Sequence, residues 1–236
     1  MTDAHCHVAR GVGRHLVCRA PEEGAEGVVL GRDALFIGIH PWQAIGVSDA
    51  DCFRAERLNP FLDEMRQRLA DGSGPLGVGE IGLDRLKERT ISPLMREVFA
   101  AQLDLAAEFV RPVVLHGAKC WGEVVRACLP YAGRIPAFLF HGFSRSDGLL
   151  PDIVRLNGFI SVGPAVLNDH AVNYRELVKS IPLDRLLVET DATEENAQEV
   201  PRIEEVALKV AEVRGVPFEE LVPILDRTAG AFVERM

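Results

Sequence analysis

Eight short apolar or β-branched runs recur along the 236-residue chain: TDAH (2–5), HLVCRA (15–20), ALFIGIH (34–40), PLGVGE (75–80), RPVVLH (111–116), PAFLFH (136–141), GFISVG (158–163) and DRLLVET (184–190). Charged, helix-periodic stretches separate most of them, among them DCFRAERLNPFLDEMRQRLADG, SPLMREVFAAQLDLAAEFV, WGEVVRACLPYA, SDGLLPDIVRL and VNYRELVKSI. Two more helical patterns, PRIEEVALKVAEVRG and PFEELVPILDRTAGAFVERM, end the chain. Strands that alternate with helices pair in parallel, because each helix carries the chain back to the end of the sheet from which it left. Eight such repeats in a chain of this length predict a (β/α)8 TIM barrel, read as one domain over residues 1–236. The first two repeats are thin. Few residues separate His7 from the second run, and PEEGAEGVVLGRD makes a poor helix. The barrel is therefore expected to be irregular or truncated in its first two βα units.

The ends of the runs share a chemistry. GVGE stops at Glu80, VVLH at His116, FLFH at His141 and LLVETD at Asp191. In a parallel barrel all strand C-termini open on one face, so these side chains converge there. The N-terminal DAHCH adds two more: strand alternation points His5 and His7, with Asp3, to one side and Cys6 to the other. His5, His7, Glu80, His116, His141 and Asp191 are accordingly the candidate metal ligands. Four histidines and two carboxylates exceed what one tetrahedral zinc requires. They suit two divalent ions bridged by a carboxylate and sharing a water, an arrangement that serves phosphodiester hydrolysis. Imidazole with carboxylate favours zinc, manganese or iron, and magnesium where oxygen ligands predominate.

His40, which ends the third run in GIHPW, is a candidate substrate-phosphate ligand. Lys119 and Arg145, on loops after the fifth and sixth runs, are candidates for the same role. Glu189, two residues before Asp191, is placed to orient a liganding histidine. Trp42 is expected to cover the barrel mouth or stack on a base or sugar. Cys6 and Cys120 read as packing residues, and His15 and His170 have no assigned role. Five cysteines without CxxC spacing, no basic-then-apolar leader and no span-length apolar run predict reduced thiols, a cytoplasmic location and no membrane contact. The net charge of −9 excludes a broad basic face for coating nucleic acid, although metal ions can supply local positive charge to a nuclease.

DAHCHV, GIHPW, GEIGLD, VVLHGAK, FHGFS and LLVETD together resemble the TatD family of metal-dependent hydrolases, in order and spacing from residue 3 to about residue 191. The resemblance implies that His5, His7 and Asp191 bind one metal, that His116 and His141 bind a second, and that Glu80 bridges them. It implies phosphodiester hydrolysis of the deoxyribonuclease type, with Glu80 and Asp191 as the catalytic carboxylates and DNA ends as substrate. The chain departs from the family at the rim, with Arg85 where an aromatic is usual, Gly142 for a common Cys, and Thr193 followed by EENAQ where a proline and a longer loop are usual. Thr228 stands where an Asn is frequent. Two other readings remain. One is an amide- or lactone-hydrolysing relative; many of these bridge their metals with a carboxylated lysine, where this chain has Glu80. The other is a metal-binding homologue without turnover.

Overall fold

The computed structural model describes residues 1–29, 31–44, 55–72, 76–144 and 147–236, with the backbone alone at 55–58 and 147. Eight parallel strands form one sheet in chain order: β1 (Thr2–Cys6), β2 (Arg14–Arg19), β3 (Ala34–Ile37), β4 (Leu76–Asp84), β5 (Val113–Ala118), β6 (Phe138–Phe140), β7 (Gly158–Val162) and β8 (Leu186–Val188). The sheet curls until its edges meet. There the Asp191 N–H donates to the His5 carbonyl (3.1 Å), and the His7 and Val8 N–H groups share the Ala192 carbonyl at 2.8 and 3.0 Å. This is the expected (β/α)8 barrel.

The helices are α1 (Ala55–Asp71), α2 (Pro93–Glu108), α3 (Trp121–Cys128), α4 (Leu150–Arg155), α5 (Val172–Ser180), α6 (Ile203–Arg214) and α7 (Phe218–Val233). Local sequence sets several of their ends. Ser92 caps α2 by accepting from the Met95 N–H (3.1 Å) just ahead of Pro93, and Gly215 ends α6 in the left-handed conformation. Among the described residues no helix follows β1 or β2, so the truncation expected in the first two units is present. Residues 51–54 of the first long helical pattern, Pro75 of PLGVGE and Ser146 of SDGLLPDIVRL lie outside the described residues.

Two strands run further than their sequence endings suggested. β4 does not stop at Glu80 but continues to Asp84, because its pairing with β5 shifts register between Val78 and Ile81 and then resumes. Such a bulge re-aims a strand without ending it. β5 likewise passes His116 and ends at Ala118, opposite Asp84. Alternation sorts the apolar residues into two layers. Leu35, Ile37, Val113, Leu115, Phe138 and Phe140 pack with the outer helices, while Phe36, Val114 and Leu139 belong to a separate inner cluster. Phe232 of α7 joins that inner cluster, stacked on Phe36 (centroids 5.9 Å apart) and edge-on to Phe159 (5.4 Å). The same helix accepts a hydrogen bond from Thr2, at the start of β1, through Asp226 (2.9 Å). α7 thus docks at the strand N-termini and leaves the C-terminal mouth free. His15, without a role in the sequence reading, is a buried clamp, with Nδ1 3.1 Å from Asp33 Oδ1 and Nε2 2.6 Å from the Arg10 carbonyl. No described helix is long and apolar enough to cross a membrane.

Candidate metal centre

At the C-terminal mouth, six predicted residues converge on one carboxylate. Glu80 is buried, and its two oxygens serve two different groups of side chains. Oε2 lies 3.4 Å from His5 Nε2 and 3.4 Å from His7 Nε2, and Asp191 Oδ1 stands 3.4 Å from the same His5 nitrogen. Oε1 lies 2.7 Å from His116 Nδ1, 2.8 Å from His141 Nε2 and 3.5 Å from His40 Nε2. Ligand atoms fall within 4.8 Å of one another in three sets: His5, His7 and Asp191; His5, Glu80 and His141; and His40, Glu80 and His116. Local structure delivers each group. The HxH pair leaves β1 on one side by alternation. Asp191 follows β8 in the left-handed conformation (φ 53°), which Asp tolerates better than most residues, and its carboxylate stays half exposed.

The donor set fits divalent metal. His5 Nε2 is fully buried and has no hydrogen-bond partner among the described residues. A buried imidazole nitrogen is costly to leave unpaired. Donors bound about 2.1 Å from a tetrahedral ion stand about 3.4 Å apart, the spacing found around His5 Nε2. The charges point the same way. Burial pushes the Glu80 carboxyl up, but the imidazoles of His141, His5 and His116 outweigh it and hold the group well below the usual carboxylate range. Asp191 is also held down, chiefly by His5 against the effect of burial. Burial and His5 would lower His141, yet Glu80 and Glu189 raise it to about 10. Glu80, buried, and Asp191, half exposed, thus both remain ionised and draw positive charge to this spot.

A second ring of residues fixes the imidazoles. Asp84, fully buried, has Oδ2 2.9 Å from His116 Nε2 and accepts from Trp42 Nε1 on the same oxygen (2.8 Å); its Oδ1 accepts the Leu86 and Lys87 N–H groups. Burial raises its carboxyl, but these donors, His116 first, drive it far below the usual range. Glu189 stands 3.5 Å from His141 Nδ1, without a hydrogen bond to it, and accepts the Ser161 hydroxyl. Cys18 Sγ lies 3.5 Å from His5 Nδ1. Asp3 leaves the cluster: it ties β1 to the end of β8 by accepting from the Thr190 hydroxyl (2.6 Å) and N–H (3.0 Å). Sequence reasoning missed Asp84 and Cys18, although the final Asp of GEIGLD carried the signal for the first.

The predicted substrate residues divide three ways. His40 lies inside the cluster, with Nε2 3.5 Å from Glu80 Oε1. Lys119 is exposed and lines a neighbouring cavity; the cavity holding the cluster, about 620 Å³, is walled by Trp42, Leu86 and Ala118 and does not include it. The reason is the strand end: β5 stops at Ala118, and Lys119 follows in the left-handed conformation (φ 56°) that turns the chain toward α3. Arg145 lies outside the described residues.

The TatD related DNase family profile matches residues 31–232. The chain belongs to the TatD family. It is 27% identical over 200 residues to YabD of Bacillus subtilis, described as an uncharacterized metal-dependent hydrolase, covering 82% of this chain and 74% of that one. It is 29% identical over 189 residues to the 3'-5' ssDNA/RNA exonuclease TatD of Pectobacterium parmentieri, covering 75% and 72%. Its fold matches the crystal structure of YjjV, a TatD homologue of Escherichia coli, with a TM-score of 0.76 at 24% identity over 98% and 96% of the two chains. Family membership and the donor set agree that this TatD protein is a hydrolase that uses divalent metal.

Proposed function

We propose that this TatD protein hydrolyses phosphodiester bonds at nucleic-acid strand ends with a pair of divalent ions. The observation that carries the reading is the division of Glu80: one oxygen faces His5 and His7, the other His116, His141 and His40. A bridging carboxylate needs that division, and a single-ion site does not. His5, His7 and Asp191 would hold one ion, His116 and His141 the second, and Glu80 both. Such a pair supplies Lewis acidity at the phosphoryl oxygens and a water acidic enough to attack near neutral pH. The chain's own groups do the rest. Asp191, ionised and half exposed at the mouth, takes the proton that the attacking water loses. His40, partly exposed beside Glu80, hydrogen-bonds a phosphate oxygen. The bond to the leaving oxygen then breaks at phosphorus. The Pectobacterium relative's activity on single strands supports strand ends as substrate.

Metal content per chain, measured beside turnover of bis-p-nitrophenyl phosphate, single-stranded DNA, duplex DNA and RNA, tests the proposal. It expects about two ions per chain and chelator-sensitive cleavage of single strands. One ion per chain, or hydrolysis of lactones and amides but no phosphodiester, would refute it.

A further inference from the structure

Charge at the barrel mouth is segregated. The loops after β2 and β8 carry Glu23, Glu194 and Glu195 on the wall of the main cavity, with Arg19 as the cation among them. The loops after β4 and β5 carry the opposite sign. There a second cavity of about 410 Å³ is lined by Arg85, Lys119 and Arg126, with the first turn of α3. The two cavities share a rim. Asp84 and Ala118, paired across β4 and β5 at their ends, line the main cavity, while the residue that follows each strand, Arg85 and Lys119, lines the second. The Arg85 N–H donates to the Ala118 carbonyl (2.9 Å), so the rim is hydrogen-bonded along its length.

The cations of this second cavity are mostly uncompensated. Arg85 pairs with Glu123 (2.6 Å), and Arg96 approaches the same carboxylate (3.8 Å). Lys119 and Arg126 are exposed and make no ion pair with any described residue. Lys119 is also held in the left-handed conformation (φ 56°), where Gly or Asn would sit at lower cost, on the order of 1 kcal/mol. Cys120, which precedes α3, makes no side-chain capping bond; the Glu123 N–H donates to its carbonyl (2.9 Å), and the Trp121 and Gly122 N–H groups add partial positive charge to the same cavity.

We infer that the Arg85, Lys119 and Arg126 cavity is a backbone subsite for a single-stranded nucleic acid, holding the phosphate next to the one at the metal centre. This rests on the proposed phosphodiester chemistry. A strand seated at Glu80 is repelled on the β2 and β8 side and received on the β4–β5 side, so it leaves the centre across that rim. The chain's net charge of −9 conceals the feature, because the cavity carries one carboxylate, Glu123, against three cations.

The test is binding of fluorescein-labelled (dT)6 to the full chain in EDTA, followed by anisotropy across salt. The variants are K119E/R126E, the milder K119A/R126A, and a control, K179E/K209E, with the same charge change on the outer helices α5 and α6. Each single-strand phosphate contact contributes about 0.7 to the log–log salt slope, and so about eightfold in affinity at 50 mM salt. Losing two contacts should flatten the slope by about 1.4 and weaken binding at least tenfold, with the control and the melting temperature unmoved. An unchanged slope, an equal loss in the control, or no wild-type binding overturns the subsite. Hydrolysis is scored separately. Charge-dependent binding without cleavage keeps the subsite and refutes the proposed function; cleavage with binding indifferent to the reversals does the opposite.

Discussion

Asp84→Asn tests how the centre is held, because it removes one charge and no atoms. Asp84 uses Oδ2 for His116 Nε2 and Trp42 Nε1, and Oδ1 for two backbone N–H groups. All four partners donate, and the side chain is fully buried. An asparagine amide cannot accept on both sides. If its oxygen keeps the backbone pair, its NH2 faces Trp42 and His116. His116 then relieves the clash by moving its proton to Nδ1, so that Nε2 accepts from the amide. That tautomer turns an N–H, rather than a lone pair, toward Glu80 Oε1 and the metal position. Trp42 Nε1 loses its acceptor, but the residue is 45% exposed, so water can take the bond and the loss is about 1 kcal/mol. For a chain of this size that lowers the melting temperature by roughly 2–4 °C. Residues that orient a metal-binding histidine typically contribute about 10–100-fold in metal affinity. Calorimetric titration of zinc or manganese into metal-free protein should show that loss in one class of sites, and imidazole nitrogen shifts should show the His116 proton on Nδ1. Affinity within about twofold of wild type, with the proton still on Nε2, would refute the argument.

Glu80→Ala should remove both ions, whereas His116→Ala should remove chiefly one, as read by metal analysis after dialysis; equal stoichiometry in the two variants would count against bridging. Gly82→Ala should destabilise the fold by about 3 kcal/mol or more, measured by urea unfolding. A Cβ there would lie 2.0 Å from the His116 carbonyl oxygen, at φ 153°, against backbone that cannot move aside. Asp33→Asn should lower stability by about 2–3 kcal/mol at pH 7. Burial raises the Asp33 carboxyl, but hydrogen bonds from Arg32, the Val29 N–H and His15 outweigh it and hold it at about 2. The folded value lies below the unfolded one, so the contribution is complete above about pH 4 and fades toward pH 2. Unfolding curves for the two proteins should converge over that interval.

The barrel was legible because its signals are local. Each strand is a short apolar run, each of the longer helices has a 3.6-residue period, and parallel topology follows from their alternation. What local signals do not carry is where a pleat ends. GVGE looked like a strand terminus because Glu80 is charged and Gly-rich sequence surrounds it, yet the bulge between Val78 and Ile81 lets β4 run to Asp84. That error concealed Asp84, four residues beyond Glu80 and inside the same cavity. The matching end of β5 at Ala118, beyond which Lys119 turns to the far side of the rim, was hidden in the same way.

The convergence at the mouth was legible for a different reason. A residue at a strand end needs no knowledge of side-chain packing to be placed, since the barrel brings all eight ends together. GIH carried the same signal as VVLH and FLFH, and the structure accordingly puts His40 against Glu80 along with His116 and His141. Charge arrangement is not legible in this way. Arg85, Lys119 and Arg126 are spread over three elements, and each is isolated in sequence among residues of either sign. Only the hydrogen-bonded rim between β4 and β5 makes neighbours of Arg85 and Lys119, and only the length of α3 brings Arg126 back beside them. A composition as acidic as this one therefore constrains the average field of the molecule but not the field at the mouth, where a strand would meet Lys119 and Arg126, unpaired among the described residues, on one side and Glu23, Glu194 and Glu195, with Arg19 among them, on the other.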